Sequence, residues 1–263
     1  MAIQTTEIYG FHPVKAALIN LDEADSQQYQ QSILYIERHK STQKYQPIVK
    51  LAKQKKINYQ LCTTKELDKL CSEKHQGLFF QYRANHGTLS ELKNEQFLES
   101  LLEKHLNSQL EKKLLILILD SIKDPHNLGA SLRTANGLGV DAVIIPKDNS
   151  VGLTPVVRKV ACGAEQSTPI IQVTNLVRTV NYLKKSGVWV TGLAGEASHP
   201  ISEIDFKDHS AIIMGAEERG LRRLTRETCD FLAHIPMFGT VESFNVSVAC
   251  AMTLYEVVRQ RTL

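Results

Sequence analysis

Apolar positions in the first third of the chain follow two periods. Stretches with an apolar residue every three or four positions predict helices, and short continuous apolar runs between them predict strands. The predicted helices span residues 13–20, 47–55 and 65–71, and the predicted strands span residues 32–36, 57–62 and 77–82. A unit of about 80 residues can bury enough surface to fold alone. We therefore predict a small α/β domain over residues 1–83.

The pattern changes in the middle of the chain and then resumes. Residues 84–112 are polar and charged, which predicts a linker that carries one helix at 92–105. From residue 114 apolar runs alternate with helical stretches again, which predicts a second domain over residues 113–263. Its predicted strands span residues 114–119, 142–145, 170–173, 188–192, 211–214 and 232–235, and its helices span residues 128–137, 153–161, 176–186 and 246–259. Continuous apolar strands between helices indicate a parallel sheet covered on both faces, with any ligand at the carboxyl ends of the strands.

Composition excludes several classes of protein. The chain is 43% hydrophobic and 22% charged, as in folded soluble domains. Its start lacks the pattern of a secretory signal, and its longest aliphatic run, residues 114–119, is far shorter than the roughly 20 residues that cross a bilayer. We expect a cytoplasmic protein with no membrane partner. Five cysteines without a CxxC pair, and no HExxH, indicate neither a disulfide framework nor a metal site.

Positive charge is concentrated in one segment. The net charge is only +3, yet residues 38–56 hold seven cations and no acid. Such a segment can follow an RNA backbone, because each phosphate contact releases counterions. The alternative is a solvated lysine face of the helix predicted at 47–55. The candidate RNA-binding residues are Arg38, Lys40, Lys44 and Lys53.

The segment DPHNLGASLRTANGLG, residues 124–139, directly follows the apolar strand predicted at 114–119. Asp124 and the proline after it predict a turn, and Asn127 is a suitable N-cap for the helix that follows. Leu128, Leu132 and Ala135 form the apolar face of that helix. Arg133 lies on the opposite face, at the carboxyl end of a strand. Two interpretations of this arginine are open: it contacts an anion or ligand, or it is a solvated surface residue. The residues that share its face are Gly129, Ala130 and Asn136.

Three later segments also place small residues at strand ends: TGLAGEA (191–197), MGAEERG (214–220) and IPMFGTVESFNVS (235–247). Glycines there let main-chain groups approach a flat ligand, so the three together predict a shared pocket. Ser243 or Asn245 is predicted to cap an apolar final helix, which needs a partner surface on its own sheet or on another subunit. Glu217 either orients a hydroxyl or an arginine, or is an acid favoured at a helix N-terminus. No GxGxxG or GxxxxGK[ST] signature follows a strand, which disfavours dinucleotide and P-loop sites.

These residues resemble a known family. DPHNLGASLRTANGLGV, MGAEERGLRRLTRETCD and IPMFGTVESFNVSVACAMTLYEVVRQR look like the three ordered motifs of the SpoU (TrmH-type) branch of the SPOUT RNA methyltransferases. EIYGFHPVKAAL and HQGLFFQYRA look like the small L30e-like RNA-binding domain that precedes the catalytic domain in the bacterial enzymes acting on 23S rRNA. The resemblance covers nearly the whole chain and is weakest in the linker.

The resemblance implies methyl transfer from S-adenosylmethionine to a ribose 2'-hydroxyl. It also implies a homodimer through the catalytic domain and a deep trefoil knot in the C-terminal part of an α/β fold with a parallel sheet. Such a knot contradicts the general rule against threaded chains, so periodicity alone predicts an unknotted sheet.

Site residues follow from the motifs by the same resemblance. The implied catalytic group consists of Asn127, Arg133, Glu217, Ser243 and Asn245. The implied cofactor-binding residues are Leu193, Ala194, Gly195, Gly215, Ile235 and Phe244. Phe244 stands where relatives often carry leucine, which predicts a bulkier pocket wall. Since an arginine side chain stays protonated, Arg133 is expected to clamp a phosphate and stabilise a developing alkoxide rather than act as a simple base.

The implied substrate is a guanosine in the 23S rRNA loop that meets the P-site tRNA, on free rRNA or a large-subunit precursor. Three alternatives stay open at this point: a tRNA 2'-O-methyltransferase of the same family, a catalytically inactive RNA-binding assembly protein, and a doubly wound dehydrogenase. The missing phosphate-binding signature disfavours the dehydrogenase.

Overall fold

The computed structural model describes residues 4–21, 31–38, 45–71, 75–84, 92–106, 112–216 and 220–262. The chain divides into two units. One comprises Met1–Glu91 with Pro155–Ser167, and the other comprises Leu92–Thr154 with Thr168–Leu263. This division differs in two places from the predicted boundaries at 1–83, 84–112 and 113–263, because residues 92–106 and 155–167 pack elsewhere than expected.

The first unit is a four-stranded sheet with helices. Its strands are β1 (Gln4–Tyr9), β2 (Ile33–Glu37), β3 (Asn58–Cys62) and β4 (Leu78–Ala84), in the spatial order β1-β4-β2-β3. Strand β4 is antiparallel to β1 and β2, and β3 is parallel to β2 at the edge. Its helices are α1 (Phe11–Asn20), α2 (Gln46–Gln54), α3 (Thr64–Leu70) and α6 (Pro155–Ala161). The core lies between the sheet and helices α1 and α2, where Val14, Leu18 and Ile48 are fully buried.

Helix α6 and the turn after it belong to this unit through close contacts. Gly163 adopts φ +89°, and a Cβ on it would lie 2.3 Å from the Cβ of Ala16. The side-chain amide of Gln166 donates to the carbonyl of Pro13 at 3.4 Å. The Lys159 ammonium lies 5.3 Å from the centre of the Tyr9 ring. The helix was predicted, but its packing depends on contacts distant in sequence that periodicity does not reveal.

The second unit is built on a parallel sheet. Its strands are β5 (Leu115–Leu119), β6 (Ala142–Pro146), β7 (Ile170–Val173), β8 (Trp189–Leu193), β9 (His199–Pro200), β10 (Ser210–Met214) and β11 (Phe231–His234). Their spatial order is β7-β6-β5-β10-β8-β11-β9, and every pairing is parallel. Its helices are α4 (Glu95–Leu106), α5 (Pro125–Gly137), α7 (Leu176–Lys185), α8 (Arg223–Thr228) and α9 (Val246–Thr262). The predicted α/β fold with a parallel sheet is confirmed. In the described ranges, no helix has the length and apolarity needed to cross a membrane.

Helix α4 belongs to the core of the second unit, although the prediction placed it in a linker. Leu98 and Leu102 are buried against the sheet. The main chain of Lys93 pairs with strand β7, donating to the Ile170 carbonyl at 2.7 Å and accepting from the Gln172 amide at 2.8 Å. The four-residue spacing of the two leucines was visible in the sequence, but the surface that receives them was not.

Four adjacent strands place the segments of interest at one edge. Strand β10 lies between β5 and β8, and β11 flanks β8. In register, Met214 pairs with Leu119, and Ala233 pairs with Leu193. Since parallel strands end at the same edge, the loops after β5, β8, β10 and β11 are neighbours there, at the position where parallel α/β sheets bind ligands.

Candidate active site

Helix α5 begins earlier than predicted. It starts at Pro125, and the carboxylate of Asp124 caps it by accepting the backbone N–H of His126 at 2.9 Å. The predicted cap at Asn127 is therefore wrong. Proline is favoured in the first turn because it has no N–H to leave unsatisfied, and aspartate is as good a cap as asparagine. Asn127 consequently lies inside the first turn of α5.

Asn127 and Asn245 connect the first and the third of the sequence motifs. The side-chain N–H of Asn245 donates to Oδ1 of Asn127 at 3.0 Å. Oδ1 of Asn245 accepts from the backbone N–H of Ser247 at 2.9 Å and from its hydroxyl at 2.7 Å. Of the two caps predicted for the last helix, Asn245 is thus the one that caps α9, while Ser243 is exposed before it. Two residues 118 positions apart meet at this point.

Arg133 lies further along α5. Leu128, Leu132 and Ala135 are fully buried, as predicted, and Arg133 is exposed on the opposite side. It lies six positions after Asn127 along the α-helix, a rise of about 9 Å along the axis. Of the residues predicted to share its face, Gly129 is buried and Ala130 is half-buried. A residue of that same face, Asn136, donates to the hydroxyl of Thr168 at 3.0 Å.

Main-chain groups on either side of the loop after β10 are hydrogen-bonded to each other. Ala216 and Gly220 form an antiparallel bridge, with the Gly220 N–H donating to the Ala216 carbonyl at 2.8 Å. A Cβ on Gly215 would lie 2.2 Å from the carbonyl carbon of Gly220, so only glycine fits at 215 without a shift of the backbone. The predicted catalytic residue Glu217 lies outside the described residues.

The cofactor candidates from the other loops lie at the same strand edge. The N–H of Ala194 donates to the carbonyl of Ala233 at 2.9 Å, which fixes the chain just beyond β8. Gly195 is exposed, and a Cβ on it would meet nothing within 4 Å. Leu193 and Ile235 are half-buried at the ends of β8 and β11. The sixth candidate, Phe244, is half-buried and adjoins Asn245.

Asp120 is a buried carboxylate at the same strand edge that the prediction missed. It directly follows β5, is fully buried, and its Oδ1 lies 2.7 Å from Nε of Arg222. The hydroxyl of Ser121 donates to the same oxygen at 2.9 Å, and the backbone N–H of Asp120 donates to the Met214 carbonyl at 2.8 Å. The Asp120–Arg222 ion pair joins the end of β5 to the segment that follows the loop after β10. The signal in the sequence was an aspartate that ends an otherwise apolar run.

Two cysteines of the second unit are poor nucleophiles. Burial raises the pKa of Cys229 to about 11 and that of Cys250 to about 12, so both remain protonated thiols near neutral pH. Cys250 lies on the buried side of α9. Neither position therefore supports thiolate chemistry.

The candidate RNA-binding residues lie in the first unit. Lys53 is exposed on α2, and Arg38 is exposed directly after β2. Lys40 and Lys44 lie outside the described residues. Lys50, on the same helix, is exposed as well, so α2 presents lysine side chains to solvent.

Two family models match the chain. Residues 114–255 match the SpoU rRNA Methylase family. Residues 8–87 match the model described as RNA 2'-O ribose methyltransferase substrate binding. Together they span most of both sequence domains.

Relatives match nearly the full length. The 23S rRNA (guanosine-2'-O-)-methyltransferase RlmB of Coxiella burnetii is 50% identical over 256 residues, which covers 97% of this chain and 95% of the relative. The protein of the same name from Pseudomonas putida is 43% identical, with 98% of each chain covered.

Solved structures share the fold. An RNA 2'-O ribose methyltransferase superposes with a TM-score of 0.74 at 23% identity, covering 98% of this chain and 90% of the other. The SpoU methyltransferase AviRb from Streptomyces viridochromogenes, in complex with AdoMet, superposes with a TM-score of 0.72 at 18% identity, covering 98% and 91%.

Proposed function

This chain belongs to the SpoU rRNA methylase family, and from that membership we propose that it methylates the ribose 2'-hydroxyl of a guanosine in the P-site loop of 23S rRNA. The chain is an S-adenosylmethionine-dependent RNA 2'-O-methyltransferase, and 23S rRNA is its substrate. The main support for this activity is the sequence identity of 50%, over 97% of the chain, to a 23S rRNA (guanosine-2'-O-)-methyltransferase. The P-site loop is the finer part of the proposal.

The strand edge fits a cofactor held by main-chain groups. Gly195 opens to free space, and Gly215 has no side chain to occlude the loop beside it. Half-buried Leu193, Ile235 and Phe244 supply apolar surface for an adenine ring. When bound, S-adenosylmethionine supplies an electrophilic methyl group on a sulfonium sulfur.

In the proposed mechanism, the protein accelerates the reaction mainly by aligning the reacting atoms. The chain's own part would be to hold the ribose 2'-oxygen in line with the methyl group that the bound cofactor would supply, and the hydroxyl proton would pass to water. Arg133 stabilises the negative charge that develops on that oxygen and clamps an adjacent phosphate. Asn127 and Asn245, joined at 3.0 Å, hold the start of α5 against the cap of α9. Glu217 and Ser243 complete the proposed catalytic group.

We propose a homodimer through the second unit, supported by an exposed apolar stripe on α9. Val248, Met252 and Tyr255 are exposed by 47%, 40% and 62%. Their spacing of four and three residues places them on one side of the helix. In the segment before α9, Phe238 is 97% exposed. A second copy of this stripe is the natural cover, since two-fold dimers use self-complementary patches.

The C-terminal deep trefoil knot is also a proposal. Its support is the strand order, in which β10 lies between β5 and β8 while the next strand, β11, lies beyond β8. The chain then returns so that Asn245 meets Asn127 at the start of α5. The L30e-like character of the first domain, residues 1–83, and its RNA-binding role are likewise proposed, with the substrate-binding match at residues 8–87 as support.

The substrate is tested by incorporation of labelled methyl groups into unmodified 23S rRNA, 16S rRNA and bulk tRNA, offered separately to the full chain. We expect label in 23S rRNA alone, recovered as 2'-O-methylguanosine. Label in tRNA instead would keep the chemistry and overturn the substrate. Binding of 23S rRNA with no S-adenosylhomocysteine released would instead favour an inactive assembly protein.

A further inference from the structure

A groove runs between helix α2 and edge strand β3 of the first unit. In the β2–β3 register, Tyr59 pairs with Leu34, and Leu61 pairs with Ile36. Paired residues point to the same face of a sheet. Leu34 and Ile36 are fully buried, whereas Tyr59 and Leu61 remain 39% and 40% exposed. The apolar face of the sheet therefore extends beyond the part that the helices cover.

The rim of this groove is cationic and polar. Helix α2 contributes the exposed Lys50 and Lys53 on one side, with the amides of Gln46 and Gln54 beside them. The groove encloses about 880 Å³, with Tyr59 and Leu61 in its wall. None of its described lining residues is acidic. An aromatic ring in a groove edged by lysines and amides matches the chemistry of an unpaired nucleic-acid strand.

We propose that this groove binds an unpaired segment of the RNA substrate, with a base stacked on Tyr59 and phosphates on Lys50 and Lys53. The inference rests on the proposed function, because it takes RNA as the substrate. Unstacked bases are what proteins read in RNA loops, and aromatic rings accept them with little sequence preference. Tyr59 and Lys50 thereby join Lys53 as positioning residues that act on RNA capture and take no part in methyl transfer.

A helical peptide is a poorer occupant for this groove. The apolar lining consists of Tyr59 and Leu61 on β3 with Pro47 and Val49 on the first turn of α2, and Lys50 and Lys53 interrupt the α2 side. A docked amphipathic helix needs a continuous apolar strip over several turns. Charge complementarity instead favours a polyanion.

The test measures binding of unmodified 23S rRNA to the full chain at several salt concentrations. Tyr59→Ala is expected to weaken binding by about 5- to 100-fold, since one stacked base contributes that much, while Tyr59→Phe stays within about twofold. The double variant Lys50→Gln/Lys53→Gln is expected to reduce the slope of log K against log salt by about 1.4, at about 0.7 per phosphate contact. Lys65→Gln/Lys69→Gln, which removes two exposed lysines from α3, is the matched control and should keep the wild-type slope.

Methyl transfer in the same preparations separates this inference from the proposed function. Tyr59→Ala should raise KM for RNA and leave kcat near wild type, because Tyr59 lies outside the catalytic machinery. Wild-type protein that binds rRNA without transferring methyl groups would contradict the proposed function and would not affect the inference that the groove binds RNA. Groove variants that bind 23S rRNA as tightly as wild type would contradict RNA binding in the groove. If the variants bind naked rRNA normally and lose binding only to large-subunit precursor particles, RNA binding in the groove would also be contradicted. That result would favour a protein partner for the groove.

Discussion

Asn245 donates a hydrogen bond of 3.0 Å to Asn127 and, with its other side-chain atom, caps helix α9 through the N–H of Ser247. One side chain thus fixes the start of the last helix and joins it to the start of α5. The bond connects the first and third sequence motifs within one catalytic unit. The two roles of Asn245 are separable by substitution.

Asn245→Ala removes both the cap and the link. We expect it to lower the free energy of unfolding by about 1 kcal/mol, the usual contribution of an N-cap, and to slow methyl transfer at least tenfold. Asn245→Ser keeps a capping oxygen and loses the link, so it should recover most of the stability and little of the activity. Urea unfolding and steady-state kinetics on both variants provide the measurement. Full activity in Asn245→Ser would show that the link to Asn127 is dispensable.

Arg222→Ala leaves the fully buried carboxylate of Asp120 without its ion partner. Breaking a buried pair in this way costs about 3–5 kcal/mol, and the partial exposure of Arg222 places the expected loss near the lower end. Arg223→Ala, on the neighbouring exposed residue, should change stability by less than about 1 kcal/mol. Equal losses for the two variants, measured by urea unfolding, would contradict a bracing role for Asp120.

Two glycines at the strand edge should respond differently to alanine. Gly195→Ala places a methyl group in open space, so it should leave folding unchanged. The affinity for S-adenosylmethionine should nevertheless fall, because the added methyl group lies in the space proposed for the cofactor. Gly215→Ala forces the loop away from Gly220 and should lower both stability and affinity. Calorimetric titration with S-adenosylmethionine distinguishes these cases, and wild-type affinity in Gly195→Ala would remove that residue from the site.

Glu95 should contribute pH-dependent stability. The backbone N–H and hydroxyl of Thr174, together with Arg178, hold the pKa of Glu95 below its usual value. A depressed carboxyl pKa stabilises the fold above the unfolded value, about 4.3, and that contribution disappears as pH falls through the folded value. Because Glu95 is partly exposed, we expect Glu95→Gln to cost less than about 1 kcal/mol at pH 7, and we expect that cost to shrink as the pH falls below about 4.3.

The measurement for Glu95 is urea unfolding of the wild type and Glu95→Gln between pH 7 and pH 3. Glu99→Gln, which removes an exposed carboxylate from the same helix, is the matched surface control. A stability gap between wild type and Glu95→Gln that stays constant with pH would contradict the assignment.

Arg133→Lys tests the geometry of the proposed clamp. Lysine keeps the charge but lacks the planar fork that binds phosphate through two parallel hydrogen bonds. We expect kcat to fall at least tenfold while S-adenosylmethionine binding is unchanged. Near-wild-type turnover would exclude the bidentate arrangement.

The sequence predicted elements better than it predicted contacts. Apolar runs such as residues 114–119 were found because a strand buried on both faces is apolar at every position. Strand β1, with the sequence QTTEIY, was missed because it forms by antiparallel pairing with β4, whose paired residues lie 70 to 80 positions away in the sequence. The cap at Asp124 and the Asp120–Arg222 pair were missed for related reasons, since local turn chemistry allowed two caps and the arginine partner is distant in the chain.

The most direct test of the account is the position of the methyl group. Unmodified 23S rRNA, incubated with S-adenosylmethionine and either wild type or Arg133→Ala, is mapped by primer extension sensitive to ribose methylation. The account predicts a single stop at a guanosine of the P-site loop with wild type and its absence with Arg133→Ala. A stop elsewhere, or an equal stop with the variant, would contradict the proposed target or the proposed role of Arg133.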